Sequence, residues 1–594
     1  MTADPTPSPT RAGNAWSRDL LLLGAFFGAL YFFALGGRPL ANPDEGRNAE
    51  IPREMLASGD WVTPRLDGVN YFEKPPLMYW AVAACLKVFG ANEGSARAMP
   101  ALFALGGVLL AYAAARRLYG REAGLAAAAV LGTSLLYYVL GHILILDMAV
   151  SVLMSATLFC FILGIREAPG LARRWWFYGL YASAALATLT KGLMGFLVTG
   201  AVMFLWLLIF NQWKRLRPFY LPTGALLFLA LAAPWHVLAA LRNETWAHRY
   251  IVFEHFLRYL TPVASRPGPW HYYIWIVLAG LIPWVGFLWP AVRDALRGGP
   301  GDGLRASWAR RKENSDAWFL VTWVTFIFLF FTINHSKLPP YILPIFPALA
   351  VLIGAWLGPA LRDNNAARLR LGLRVFAFVG GFLAVAFCVV VLRPELVRLP
   401  IESAAALKLP AFVLAAVLLF GGLVAPWLAK TRGARAGLLG IVGTMTAFFV
   451  ILQFAAPDIP NRGTKSLAQI VVARAQPGDR VMHYHEFFHD FTFYAKRTVD
   501  VVDFKGELEL KEDAAASASG RFLSESEFRK LWVQPGRIFV VARQRDVSEL
   551  FADPAFHKHL LGETRDHTLF SNEPDDGRRR EIRNPNVEIR NKLE

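Results

Sequence analysis

Six ionisable residues crowd the stretch NPDEGRNAEIPREM at positions 42–55: Asp44, Glu45, Arg47, Glu50, Arg53 and Glu54. They follow the first strongly apolar run of the chain, where a solvated loop is the commonest reason for so much charge. Asn42 reads as an N-cap with Pro43 at the first helical position, so a short helix begins here. Asp44 and Arg47, three apart, then share a face, Glu45 points about 100° away from Asp44, and Pro52 is expected to end the helix after roughly two turns. Similar groups recur at the edges of later apolar runs. Glu73 and Lys74 precede two prolines, which hold that segment extended. Asp147 separates two apolar runs, Lys191 stands in LTKG (189–192), His255 and Arg258 lie in FEHFLRYL (253–260), and Lys337 and Tyr341 lie in NHSKLPPYILP (334–344).

These residue types suit one kind of chemistry. Lys74, Arg258, Lys337 and Lys191 could grip phosphate groups, while carboxylates at Asp44 and Asp147 could stabilise a cationic centre or orient a nucleophile. Glu73 with His255 could hold a divalent cation, zinc or magnesium, although two ligands fall short of a full metal set. Trp270, Tyr272 and Tyr273 read as an aromatic belt. The chain has no Walker loop and no dinucleotide fingerprint. The substrate expected is lipid-linked, not nucleotide-linked.

The elements that must position these groups are membrane helices. A chain of 594 residues with 55% hydrophobic, 13% aromatic and only 18% charged residues is too apolar for a soluble globule. Apolar runs of about twenty residues begin near 19, 98, 122, 147, 175, 192, 219, 271, 317, 341, 374, 410 and 436. The expectation is a mainly α polytopic membrane protein of about thirteen spans, preceded by a cytoplasmic tail at 1–18. The run at 75–90 is shorter and reads as re-entrant or interfacial. With the N-terminus inside, the loops at 115–122, 166–174, 211–217, 292–316, 362–374 and 429–435 all face inward, and all are basic.

The formal charge of +17 follows the same division. Residues 457–594 carry 22 Lys+Arg against 23 Asp+Glu, so the excess lies wholly among the helices. That is the pattern of anionic headgroups and membrane lipids, and no nucleic acid is implied. The three cysteines, Cys85, Cys160 and Cys388, lie in apolar segments and form no metal or disulfide pattern. Alternating stretches after 456 give a soluble α/β domain at 457–572, and 573–594 reads as a disordered tail. Sorted by this topology, the ionisable groups named above fall on the outward face.

The ordered set NPDEGRNAEIPREMLASGDWVTPRL, YFEKPPLMYW, LTKG, FEHFLRYL, PWHYY with IPWVG, and KLPPYILP resembles the bacterial 4-amino-4-deoxy-L-arabinose lipid A transferases. These are polyprenol-phosphate-dependent GT-C membrane glycosyltransferases related to protein O-mannosyltransferases. The resemblance covers residues 19–456 well and the C-terminal domain loosely, through FTFYAKRTV (491–499). It implies thirteen helices, periplasmic juxtamembrane helices within 19–456, and a periplasmic α/β domain. It also implies transfer of the aminosugar from undecaprenyl phosphate to a phosphate of lipid A at the periplasmic face of the bacterial inner membrane, giving resistance to polymyxin. A monomer is expected.

By the same resemblance Asp44 matches the catalytic acid with Arg47 beside it, and Asp147 the second acid. Glu73 and His255 match the cation pair, and Lys74, Arg258 and Tyr341 the grip on the carrier phosphate. Gly46 and Asn48 depart from the pattern, standing where many relatives carry a hydroxyl residue and an aromatic. Three other readings compete: a related transferase moving another sugar, a transferase of this architecture acting on protein Ser/Thr, and a lipid flippase or transporter. A flippase predicts charges lining a path through the bilayer, whereas the spans here are almost uncharged. The topology predicts that a cysteine placed at Ala306 reacts with an impermeant thiol reagent only after the membrane is opened. Labelling in intact cells would contradict it.

Overall fold

The computed structural model describes residues 9–257, 266–297, 304–309, 311–459, 463–504, 519–553 and 556–574. Two compact units divide the chain: one holds 1–38 and 72–460, the other 39–71 and 461–594. The division differs from the one expected at 456, because the charged stretch at 42–55 is packed within the C-terminal unit.

The larger unit is a helical bundle. Among the described residues eight helices are long and apolar enough to cross a membrane, or ten if each of two bent pairs is one span. The pairs are Arg121–Gly132 with Leu135–Gly141, bent by 64°, and Tyr272–Gly280 with Val285–Leu296, bent by 107°. The other three expected runs fall in helices Pro9–Phe32, Leu171–Lys191 and Met194–Phe210, outside that set. Leu77–Phe89 forms a helix of 13 residues, about 20 Å long and too short to span.

Helices Asp147–Arg166 and Phe346–Arg362 form the middle of the bundle, and nearly all their side chains are buried. Small residues let helices approach: a Cβ on Gly354 would lie 2.6 Å from the Ala123 carbonyl oxygen, the small-residue packing usual between membrane helices. The outer helices Arg370–Leu392 and Ile401–Arg432 instead present Phe378, Phe382, Leu409 and Leu423 outward, as a lipid-facing surface requires. Buried charges are paired. Asp19 accepts from Arg116 at 2.8 Å, Arg121 at 2.6 Å and Tyr112 at 2.8 Å, tying the first helix to Glu93–Tyr119 and Arg121–Gly132. Arg97 donates to the carbonyls of Leu35 and Arg38, both at 2.8 Å.

The smaller unit is an α/β sheet. After a hairpin of β1 (Arg65–Leu66) and β2 (Val69–Asn70) come β3 (Arg480–Tyr484), β4 (Asp500–Val502), β5 (Phe522–Leu523), β6 (Ile538–Arg543), β7 (His559–Glu563) and β8 (His567–Ser571). The six later strands order as β5-β4-β3-β6-β8-β7, parallel through the first four and antiparallel at β8 and β7.

Against this sheet domain packs the helix Asp44–Ser58, which runs straight through Pro52. The expected stop at Pro52 is overridden because the helix is buried along its length: Ala49, Ile51 and Met55 are enclosed, and tertiary packing outweighs local propensity. The helix ends instead at Gly59, at φ +70°, whose N–H reaches the Met55 carbonyl. Gly46 sits at its closest contact, where a Cβ would lie 2.4 Å from the Asp490 nitrogen and 2.7 Å from the His489 carbonyl carbon. Backbone cannot yield as a side chain can. Gly46→Ala is therefore expected to destabilise the protein by roughly 1–3 kcal/mol in thermal unfolding. Gly24→Ala, where nothing lies within 4 Å, should not.

Candidate active site

In the bundle, Asp147 is the first residue of Asp147–Arg166 and Lys191 the last of Leu171–Lys191, so two packed helices bring their ends together. The two side chains form an ion pair. Lys191 Nζ also lies 4.8 Å from the ring centroid of Tyr341, a cation–π distance. Tyr341 belongs to the 3-10 turn Pro339–Ile345, which follows Lys337. Lys337 is held twice: its Nζ donates to the Asn334 carbonyl at 2.9 Å, and its backbone N–H donates to the Arg266 carbonyl at 3.1 Å. Tyr273 steadies the same connection by donating to the Leu338 carbonyl at 3.3 Å. Asp147, Lys191 and Tyr341, far apart in sequence, thus form one cluster.

Lys74 has a different surrounding. Its Nζ donates to Glu254 Oε2 at 2.8 Å and to the Glu73 carbonyl at 2.9 Å. Glu254, only 4% exposed, lies on the π-helical stretch Ala247–Leu257, a form found often at functional sites. Lys74 is therefore not only an exposed contact for phosphate, because removing it would take a cationic partner from a buried carboxylate. Glu254 escaped the sequence reading although it adjoins His255 in FEHFLRYL. Nothing local separates a buried acid from a solvated one. The His255 side chain and Arg258 lie outside the described residues.

In the smaller unit the six charges of 42–55 divide sharply. Glu45 (0% exposed) accepts from the Ala41 N–H at 2.9 Å. Glu50 (0%) takes Arg53 in a two-point pair at 2.6 and 2.7 Å. Glu54 (8%) accepts from the backbone N–H groups of Asp67 at 2.6 Å and Gly68 at 2.9 Å, fixing the β1–β2 turn. Only Asp44 stands well out, its side chain 53% exposed and paired with Arg47 at 2.5 Å. The Arg47 guanidinium lies 6.0 Å from the Tyr71 ring centroid. A solvated loop does not describe this segment.

Asn42 does not cap the helix. Its side chain donates to Asp490 Oδ1 and accepts from the Asp490 N–H at 3.0 Å. Asp490 also accepts from the Thr464 N–H at 2.6 Å and the Thr464 hydroxyl at 2.8 Å. Burial pushes its carboxyl up to about 6. One further cluster among the described residues, His485, Asp546 and Glu549, has donor atoms within 4.8 Å of one another.

Residues 73–237 match the family of dolichyl-phosphate-mannose-protein mannosyltransferases. The chain is 33% identical, over 60% of its length, to the undecaprenyl phosphate-alpha-4-amino-4-deoxy-L-arabinose arabinosyl transferase 2 of Sodalis glossinidius. It is 34% identical, over 59%, to the corresponding transferase of Edwardsiella ictaluri. In both cases the match spans 63% of the relative. The crystal structure of ArnT from Cupriavidus metallidurans bound to undecaprenyl phosphate superposes with a TM-score of 0.83 at 28% identity, covering 93% of this chain and 98% of that one. A multi-helix bundle with a C-terminal sheet domain is the architecture of a multi-pass membrane protein, shared with that ArnT structure. The sequence of this chain is similar to the undecaprenyl phosphate-aminoarabinose arabinosyl transferases over about 60% of its length, and its fold to that of ArnT.

The buried acids carry a pH consequence. Burial, with Glu54 nearby, pushes Glu50 up to about 8 despite Arg53, and burial raises Asp67 well above the carboxylate range despite its bond from the Val499 N–H. The folded state thus holds protons that the unfolded chain releases above about 4.5. Stability contributed by the protonated Glu50 is fully present below that value and is lost as pH rises through about 8. Thermal stability in detergent is expected to fall between pH 5 and 8, and Glu50→Gln should flatten that slope.

Proposed function

We propose that this protein transfers 4-amino-4-deoxy-L-arabinose from undecaprenyl phosphate to a phosphate group of lipid A, at the periplasmic face of the bacterial inner membrane. The observation that carries the reading is the likeness, over nearly the whole chain, to a transferase structure bound to undecaprenyl phosphate.

The chemistry proposed is direct displacement at the anomeric carbon. A lipid A phosphate oxygen forms the new bond to that carbon, the bond to the carrier oxygen breaks with its electron pair, and configuration inverts. A phosphate nucleophile is already anionic at neutral pH, so it needs no strong general base. Asp44, turned outward beside Arg47, would orient the acceptor or the sugar amine. Lys191 and Lys337, with Tyr341, would offset charge growing on the leaving phosphate, a preorganised electrostatic contribution. Asp147 holds Lys191 in place for that role. Lys74 and Arg258 would add to the phosphate grip, and a zinc or magnesium ion held by Glu73 and His255 would contribute further positive charge.

Mass spectrometry of lipid A from a transferase-null strain, with and without this gene, tests the reaction. An aminoarabinose increment dependent on the gene is expected, and glycosylated protein with unmodified lipid A would overturn the reading. Asp44→Asn keeps shape but removes charge, so lipid A modification should collapse while membrane abundance and thermal stability stay near wild type. Glu45→Gln and Glu54→Gln should instead lower stability, since each alters a buried acceptor. Full modification by Asp44→Asn would return Asp44 to the surface.

A further inference from the structure

The sheet domain carries a set of ligand-type side chains that the transfer reaction does not use. Strand β3 pairs with β4, and β4 with β5, all on one side; the chain then crosses to place β6 on the other side of β3, still parallel. That reversal makes a topological switch point between β3 and β6, and the crevice at the carboxyl ends of such strands is where open parallel sheets bind ligands. His485 directly follows β3, and Asp503 directly follows β4. Asp546 and Glu549 lie in the turn Gln544–Asp546 and the short helix Val547–Leu550 that follow β6. Three neighbouring strands thus deliver an imidazole and three carboxylates to one edge.

The geometry is close. His485 Nε2 lies 3.4 Å from Asp503 Oδ2 and 4.0 Å from Glu549 Oε1. Single donor atoms of His485, Asp546 and Glu549 all fall within 4.8 Å of one another. The imidazole is fixed: its side chain is 5% exposed and its ring stacks on Tyr484 at 3.9 Å and 24°. Nearby cations leave the set largely acidic. Arg543 and Arg545 pair with Glu486, while Arg545 Nε approaches Asp546 Oδ1 at 3.4 Å.

We propose that this edge binds one divalent transition-metal ion of the zinc type, through His485, Asp546 and Glu549, with Asp503 in reach as a fourth ligand. A mixed nitrogen and oxygen set suits zinc, whereas magnesium and calcium take oxygen alone. Ligand atoms about 2.0 Å from a tetrahedral ion stand about 3.3 Å apart. The set therefore closes by an inward turn of Glu549, whose side chain is exposed. The site shares no residue with the cation pair Glu73 and His255.

The test uses full-length, chelator-stripped protein in detergent, titrated calorimetrically with zinc chloride alone. Wild type is expected to bind one equivalent that Glu549→Gln and Asp546→Asn bind at least about 100-fold more weakly, since even outer-shell changes weaken metal sites by 10–100-fold. Glu549→Gln alters an exposed side chain, so its metal-free melting temperature should match wild type, and zinc should raise that temperature further in wild type than in Glu549→Gln. Equal stoichiometry and affinity in wild type, Glu549→Gln and His485→Ala would overturn the proposal. So would the absence of any zinc-dependent rise in wild type.

Discussion

A carboxylate taken out of water loses several kcal/mol of solvation unless donors replace the water, and the stretch at 42–55 buries three. Each has found a different donor: Glu45 the Ala41 amide, Glu50 the Arg53 fork, Glu54 the two amides of the β1–β2 turn. From that turn the network continues, because Asp67 accepts from the Val499 N–H, more than four hundred residues along the chain. Asp490 repeats the arrangement with Asn42 and Thr464. The segment 39–71 and the C-terminal sheet form one unit because each side supplies donors that the other side's buried acids require.

The bundle obeys the same constraint with fewer charges. Asp19 is surrounded by two arginines and a tyrosine, and Arg97 by two carbonyls, so neither buried charge is left alone. Asp147 and Lys191 pair where two helices end.

What was legible in the sequence was what composition encodes. Apolar runs coincide with helices because burying or lipid-solvating twenty apolar residues is a local property. Alternation after 456 marked strands β3, β4 and β6 for the same reason. Asp147, Lys191 and Tyr341 were picked out separately, as charges and aromatics at the edges of those runs, but their meeting is a fact of packing. The burial of Glu45, Glu50 and Glu54 was not legible, and Glu254 was missed, because enclosure of a charge is set by tertiary packing that no local pattern encodes. Pro52 was misread as a stop because a packed helix can forgo one hydrogen bond. Gly46, a departure from the family pattern, is explained by the backbone of His489 and Asp490 lying where a side chain would be.

These pairings give the sheet domain a part in the proposed reaction. Asp44 has no buried partner of its own; its position is set by the helix it begins. That helix is anchored two residues earlier by Asn42 on Asp490, at Gly46 by contact with His489 and Asp490, and further along by Glu54 on the β1–β2 turn. An exposed acid at a helix start would ordinarily sample many orientations. Here three anchors, two of them contributed by residues near 490, hold the helix from which its side chain projects. The sheet domain thereby holds the segment that carries Asp44, the acid proposed to act.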